Sequence, residues 1–592
     1  MPAFCYVRHD DNPGNRPMLA AMAASLAPAR LKGTIHQFRV PNGTLLAWTA
    51  DHTPFDLFTG PDGGVAMLLG EALCNHTPHR ISAADLYGDW PGVTRASGYF
   101  CWLVIRGSGE LFAGMDPFGL FPLYTTCNTE AFALASSINT LRQHPRYDRT
   151  PDLVGLARHL IENGCASSRT VERGSRRIQP GQVVHLLASP SLQPALLDHS
   201  IDWLSEDKIT DPREAVALSI SMSEAAYQRH TRTDSQAMLM SGGLDTRQLA
   251  ALAIRSGHRP DGYTYGEPTD FEAVQARRTC RQVGGRWHIL PDQMPPTVTM
   301  IEEELDLLSL AGGFSTVTMT GFESLGRAAI PRVTTGLLLD VHYSPFYRAP
   351  STYEEDSLPY CMDVWINRFG IPADRLLDMA RPGDMRKAVR EALHEIESEW
   401  ASLCGDLADR HWQVLTRHRM RPHLGSHLWK VAFHTWPQLI ATDVPFVKAT
   451  RRVSGDLLRD RFLQRQTVAD LSPKLARIPL DSMHNQPHSV LPSRWNHLYH
   501  RMHMARLRLD GKTAQDAHRY PRIMGIDTPA WREIRAQAEA GREAAETLFE
   551  ADKLRAYLPA YPEPPAPERQ TFAGQWGLRL AMGMMLWLKA RG

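Results

Sequence analysis

At 592 residues the chain is long enough for two or more domains, each with its own core. Hydrophobic residues make up 43% and charged residues 22%, the balance of a globular protein in water rather than of a disordered chain. Lysine plus arginine number 65 against 64 acidic residues, so no global field draws in nucleic acid or an anionic membrane, and the expected partner is small or locally recognised.

The first residues, "MPAFCYVRHDDNPGNRP", lack a basic start followed by an apolar stretch, and the longest apolar run, "AMGMMLWL" near the end, is too short to span a bilayer. Eight scattered cysteines form no C-x-x-C pair and show no metal-site spacing, which reads as reduced thiols in a cytoplasmic protein. Up to about residue 200 the pattern predicts short strands separated by turns: "GTLLAWTA", "YFCWLVIRGSGELFAG", "AFALASS" and "GQVVHLL". Past about residue 210, long helical patterns alternate with brief apolar strands such as "DGYTYG" and "IPRVTTGLLLD", which predicts a parallel α/β core with added helices. A Pro-rich linker at 557–570 precedes an amphipathic helix through Leu578, Leu580 and Met584, expected to dock on a groove or a second subunit.

Residues 237–247, "AMLMSGGLDTR", place an apolar run directly before Ser-Gly-Gly and a helical pattern, which reads as strand, tight turn, helix. Gly242 and Gly243 have no Cβ to block close approach, so backbone N–H groups can converge on an anion at the positive end of the helix. Ser241 and Thr246 add hydroxyls. Asp245 suits such a site only if a divalent cation bridges it to phosphate oxygens. The competing reading is a plain corner in which Asp245 caps the helix.

"MLMSGGLDTRQLAALA" resembles the pyrophosphatase-type ATP loop of the asparagine synthetase family, and other segments follow in that family's order over roughly residues 90–480. "SGYFCWLVIRGSGELFAGMDPFGLFPLYTT", with Asp116, Phe118 and Gly119, is similar to the amino-terminal glutaminase-like domain, and "RRIQPGQVV" to the segment that closes it. "YTYGEPTDFEAVQARRTCRQVGGRWHIL" resembles the second synthetase strand and helix, with Glu272, Ala276 and His288 in place, and "VTTGLLLD" the strand ending in a second magnesium aspartate, Asp340. The resemblance implies an α/β chain with two domains. Residues 1–205 would be a degenerate glutaminase-like αββα domain of the Ntn-hydrolase type. Residues 206–592 would be an ATP-pyrophosphatase α/β domain with a helical extension. It further implies activation of a carboxylate by ATP to an acyl-adenylate, followed by attack of an amine. Magnesium would be held by Asp245 and Asp340, and the nucleotide by Leu239, Ser241, Gly242, Gly243, Asp245, Thr246, Tyr265, Thr335 and Gly336.

Glutamine-using members carry a cysteine directly after the initiator methionine as nucleophile, and here that position is Pro2. Cys5 would serve only after trimming of three further residues, so the amino-terminal domain is expected to be a non-catalytic scaffold. Family members without this cysteine include β-lactam synthetases, carbapenam synthetases and the cyclases that close the macrolactam ring of lasso peptides, in all of which the substrate supplies its own amine. Three positions before Asp340, where asparagine synthetases have glutamate and β-lactam synthetases tyrosine, stands Leu337. The usual transition-state lysine is replaced by Arg461 in "RFLQR", with Arg465 one helical turn on. An arginine keeps the charge but does not exchange a proton as a tuned lysine does. Glu272 and His342 are the candidates for the general base.

Histidine-rich stretches (His411, His418, His423 and His427; His497, His500 and His503) lack carboxylate or cysteine partners for zinc and are read as contacts to solvent or substrate. The basic, aromatic run from 492 is either a peptide-binding face or a charged helix surface. The reading is thus an AMP-forming amide synthetase, with ATP and Mg2+, that closes a β-lactam-type or lasso-peptide-type ring in specialised-metabolite biosynthesis. Its alternatives are an ammonia- or amine-dependent amide ligase and a catalytically silent scaffold. Partners would be a small-molecule or peptide substrate, with a companion peptidase, another pathway protein or a second copy of the chain as further options.

Overall fold

The structure, a computed structural model, describes the chain apart from residues 1–2, 11, 30, 78, 127, 189–191, 232–236, 291–322, 344–352, 481–488, 492–493, 512–518, 520–524, 567–574 and 592. Pro2, Cys127 and the side chains of His497, His500 and His503 lie outside the described part.

The period-2 segments before residue 200 form two six-stranded antiparallel sheets. Strand Ser97–Ile105 is buried along its whole length because both of its faces are covered. On one face Cys101, Leu103 and Ile105 join Met67 and Leu69 of the neighbouring strand and Leu45 and Leu46 of the other sheet in the main core. On the other, Phe100, Trp102 and Val104 join Ala66 and Leu68 in a second core under the helix Ala83–Gly88. Alternate side chains of one strand thus serve two cores, which is what a pleated strand between two covering layers requires. Cys5 sits in mid-strand, flanked by Leu46 on one side and Ala135 on the other. Burial pushes its thiol up, away from the thiolate a nucleophile needs.

The later half is built on a five-stranded parallel sheet. Its strands, in spatial order, are Trp287–Leu290, Asp261–Tyr265, Ala237–Leu239, Arg332–Thr334 and Trp436–Gln438. The chain starts in the middle strand, moves outward on one side, then returns to the other side. This reversal leaves a crevice at the carboxyl ends of the central strands, the position where open α/β sheets bind ligands. One expectation is corrected here. The "VTTGLLLD" strand ends at Thr334, and Asp340 lies instead in the first turn of the helix Leu339–Tyr343.

The two halves share their core. Trp436 packs against Tyr99 with ring centroids 5.6 Å apart, the Val444 amide donates to Ser97 Oγ at 2.8 Å, and Arg332 pairs with the buried Glu71 at 3.1 Å. The tail helix Gln575–Lys589 is buried nearly throughout, against the helices Pro529–Ala538, Arg542–Leu548 and Leu153–Glu162. Its groove is in its own chain. Leu580 is fully buried there, whereas Leu509 is 88% exposed. Leu580→Ala should therefore cost about 2–5 kcal/mol, seen as a lowered thermal midpoint, and Leu509→Ala should change the unfolding free energy by no more than about 0.5 kcal/mol.

Candidate active site

The strand Ala237–Leu239 delivers the Ser-Gly-Gly turn to the crevice, and the helix Leu244–Arg255 leaves from it. Gly243 occupies the cap position with no side chain bonding the first turn, so the helix start keeps backbone N–H donors facing the crevice. Ser241 Oγ accepts from the Gly243 amide at 3.1 Å and lies 3.1 Å from Thr246 Oγ1, which gathers two hydroxyls beside those donors. Asp245 caps nothing in this arrangement, and the plain-corner reading loses its main support.

From the neighbouring strand, Thr335 and Gly336 lead into the segment carrying Asp340. A Cβ on Gly336 would stand 3.0 Å from Asp245 Cβ and 3.1 Å from the Thr246 amide nitrogen, so the two loops meet backbone to backbone. Asp245 and Asp340 are close enough for their charges to interact. Burial lifts the Asp245 carboxyl above the ordinary aspartate range, the Arg461 guanidinium opposes that lift, and the Asp340 charge adds to it.

Arg461 reaches Asp245 from the far side of the crevice. Its Nη2 donates to Asp245 Oδ1 and its Nε to Gln464 Oε1 at 2.8 Å, while Gln464 Nε2 donates to the same aspartate oxygen at 2.8 Å. Among the described residues six non-glycine positions have positive φ, and three of them, Leu338, Asp460 and Arg461, lie in the segments that present Asp340 and Arg461. Such backbone is costly and persists where packing over-determines it. Leu337 is half-buried between them, with its amide donating to Thr335 Oγ1 at 3.3 Å.

Beneath this surface lie residues that the sequence did not single out. Gln464 Nε2 also donates to Gln248 Oε1, and Gln248 Nε2 donates to Ser223 Oγ and to Tyr343 Oη at 2.9–3.0 Å. Thr467 and Ser219 extend the network, which ties four helices under the aspartate. Arg247, fully buried, donates to the carbonyls of Gly242 at 3.0 Å and Pro479 at 2.9 Å, pinning the glycine turn from behind. The only hint in sequence was their place, a polar or charged residue on the apolar face of a helical pattern.

The remaining candidates separate. Leu239 and Tyr265 border the crevice from the sheet, packed in one apolar cluster with Leu290 and Val333. Glu272 is half-buried in the first turn of the helix Phe271–Val283, and Arg465 is exposed. His342 is withdrawn as a base. Its Nε2 donates to the Ala441 carbonyl at 2.9 Å and its Nδ1 accepts from Trp412 Nε1 at 3.1 Å, so neither nitrogen is left for a substrate. Burial pushes it down to about 3, with Arg451 adding to the shift.

The histidines of 411–427 do not face solvent either. His411 bonds the Glu355 carbonyl, His418 pairs with Glu162 at 2.9 Å, and His427 is buried edge-on to His423. Glu162, Glu399 and His418 are grouped closely enough for a metal, but Arg158 forms ion pairs with both glutamates and supplies the positive charge.

Comparison with known proteins gives a distant relationship. No protein-family model matches the chain. Curated proteins from Mycobacterium bovis and Mycobacterium tuberculosis, named "Putative asparagine synthetase" of the glutamine-hydrolyzing kind, are 26% identical over 187 residues. The match covers 30% of this chain and 28% of each relative. Solved structures with local likeness include an allosteric regulatory enzyme of purine biosynthesis and a glutamine phosphoribosylpyrophosphate amidotransferase from B. subtilis, both at 10% identity and a TM-score of 0.23. They cover 49% and 60% of this chain, and 65% and 84% of their own. At that score the likeness carries no argument. No helix among the described residues is long and apolar enough to cross a membrane.

Two outcomes follow from this geometry. Gly336→Val should force the two loops apart and lower the thermal midpoint, with Gly336→Ala intermediate. Asp245→Asn should raise the thermal midpoint at pH 8, since the raised native carboxyl makes its charged form a net cost there. The gain should vanish as the pH falls and the native carboxyl takes up its proton.

Proposed function

We propose that the protein is an ATP-dependent amide synthetase that adenylates a substrate carboxylate with release of pyrophosphate, and then joins the acyl carbon to an amine of the same substrate with loss of AMP and the amine's proton. The observation that carries this reading is the meeting of the Ser241–Thr246 turn with the Thr335–Asp340 segment, which sets two carboxylates beside an open helix start. The distant relationship to proteins named as asparagine synthetases supports the same class of chemistry.

In this reading the first-turn amides, Ser241 and Thr246 hold the pyrophosphate moiety, while Leu239, Tyr265, Thr335 and Gly336 bound the nucleotide. The carboxylates of Asp245 and Asp340 form the all-oxygen, doubly negative donor set that magnesium prefers. Magnesium bound there supplies Lewis-acid neutralisation of the pyrophosphate leaving group. Arg461 stabilises the charge that builds up on the transferring groups, since its fork matches phosphate oxygens and it keeps its proton. Glu272 is the remaining candidate to take the proton of the attacking amine.

An amine tethered to the same molecule needs no glutamine hydrolysis. The burial of Cys5 within its sheet agrees with that. Tethering replaces a bimolecular attack, an advantage of roughly 7 kcal/mol or more in well-oriented cases. The ring formed would be a β-lactam or a larger peptide macrolactam.

The test is ATP–pyrophosphate exchange with magnesium and a panel of amino acids and peptides. Exchange should depend on one substrate, and Asp245→Asn and Asp340→Asn should each abolish it. Arg461→Ala should cost about 10²–10³-fold, with partial recovery in Arg461→Lys. Glu272→Gln should keep exchange and slow amide formation. A product lighter than substrate by one water marks ring closure, whereas a product heavier by an amine marks an amine-dependent ligase. No exchange and no ATP binding across the panel would leave a binding scaffold.

A further inference from the structure

The helix Arg494–Leu509 carries an apolar stripe that the fold does not cover. Trp495 is 74% exposed, and Leu498, Met502 and Leu509 are exposed as well. At about 100° per residue these four side chains and Arg506 fall within an arc of about 80°. The stripe therefore runs on into Arg506 on the same face.

Arg506 opens onto a cleft of about 260 Å³ between this helix and the helix Phe271–Val283. Arg277, Arg278 and Arg281 line it too, and among the described lining residues Asp510 is the one carboxylate. Among the described residues none of Arg277, Arg281 and Arg506 forms an ion pair. Arg277 instead lies over the Trp287 ring at 5.6 Å and is exposed. The guanidinium groups of Arg277, Arg281 and Arg506 on one concave space attract closely spaced carboxylates, which such forks can bind bidentately. The cleft wall Pro268–Thr269 belongs to the loop that begins where the strand Asp261–Tyr265 ends, the strand whose carboxyl end borders the crevice.

We propose that the stripe and the arginine cleft together form a docking track for an acidic and apolar segment of a polypeptide substrate. The inference rests on the adenylating reading above for assigning that segment to the substrate. From Trp495 to Arg506 the helix rises about 16 Å, the span of about five extended residues. Apolar side chains would lie over Trp495, Leu498 and Met502, and one or two carboxylates would enter the cleft. A membrane surface fits less well, because the arginines line a recess instead of a plane.

Fluorescence anisotropy of the full-length protein with labelled octapeptides of alternating Asp and Leu, or alternating Lys and Leu, tests the track. The acidic probe should bind and the basic probe should not. Arg277→Glu combined with Arg281→Glu should weaken the acidic probe at least tenfold and admit the basic one, and Trp495→Ser should weaken it at least threefold, with circular dichroism unchanged in each. Equal binding of both probes, or acidic binding unmoved by these substitutions, would overturn the proposal. So would arginine-dependent sedimentation with phosphatidylserine vesicles in the absence of probe binding. The probe assay contains no ATP, so arginine-dependent binding in a protein that catalyses no exchange would remove the adenylating reading and leave the track standing.

Discussion

The contact between Gly336 and the first turn of the helix Leu244–Arg255 is the constraint around which the site is organised. Two loops from adjacent parallel strands approach until main chain nearly touches main chain, and any side chain at position 336 would have to push the neighbouring turn back. The approach sets Asp245 against Asp340, at an electrostatic cost that burial increases. Arg461 and Gln464 answer part of that cost from the opposite wall. The loops cannot relax away, because Arg247 holds the Gly242 carbonyl from below and the Gln248–Tyr343 network braces the helices beneath. Rigidity here comes from polar side chains inside the protein, each with its partner.

The amino-terminal sheets contribute to this rigidity from the edge of the parallel sheet. Strand Ser97–Ile105 supplies Tyr99 and the Ser97 hydroxyl to the edge of the parallel sheet, next to Trp436 and the Ile440–Thr442 turn. Asp116, held by three backbone amides from Phe118, Leu120 and Phe121, fixes the turn that presses Phe118 toward His342. Burial pushes the Asp116 carboxyl up to about 7, yet those amides keep its geometry defined. These sheets thereby buttress the edge of the parallel sheet.

Much of this was legible in the chain because it rests on local rules. Glycines after an apolar strand and the short continuous apolar run "YFCWLVI", bounded by turn residues, each point to one backbone outcome. The aspartate pair was legible as residue types but not as geometry. "TGLLLD" read as the end of a strand, whereas Leu338 takes a positive φ and Asp340 starts a helix. His342 misled because a histidine two residues past a site aspartate points to the opposite side of a helix. Gln464, Gln248 and Arg247 were invisible for a different reason. Their roles depend on which helices pack together, and one sequence without its tertiary contacts does not encode that in any short pattern.

The histidines sealed inside the molecule have a thermodynamic consequence of their own. His159, His342 and His427 are buried, and all are pushed down to about 3 by burial. The unfolded chain takes up protons at these rings near pH 6.5, and the folded chain refuses them until far lower. Each ring therefore favours folding fully above that pH and withdraws up to about 1.4 kcal/mol for every unit below it, so the three together remove about 4 kcal/mol per unit. A domain's whole margin is commonly about 5–15 kcal/mol. Acidity thus works against the fold from the interior of the protein, independently of the chemistry in the crevice.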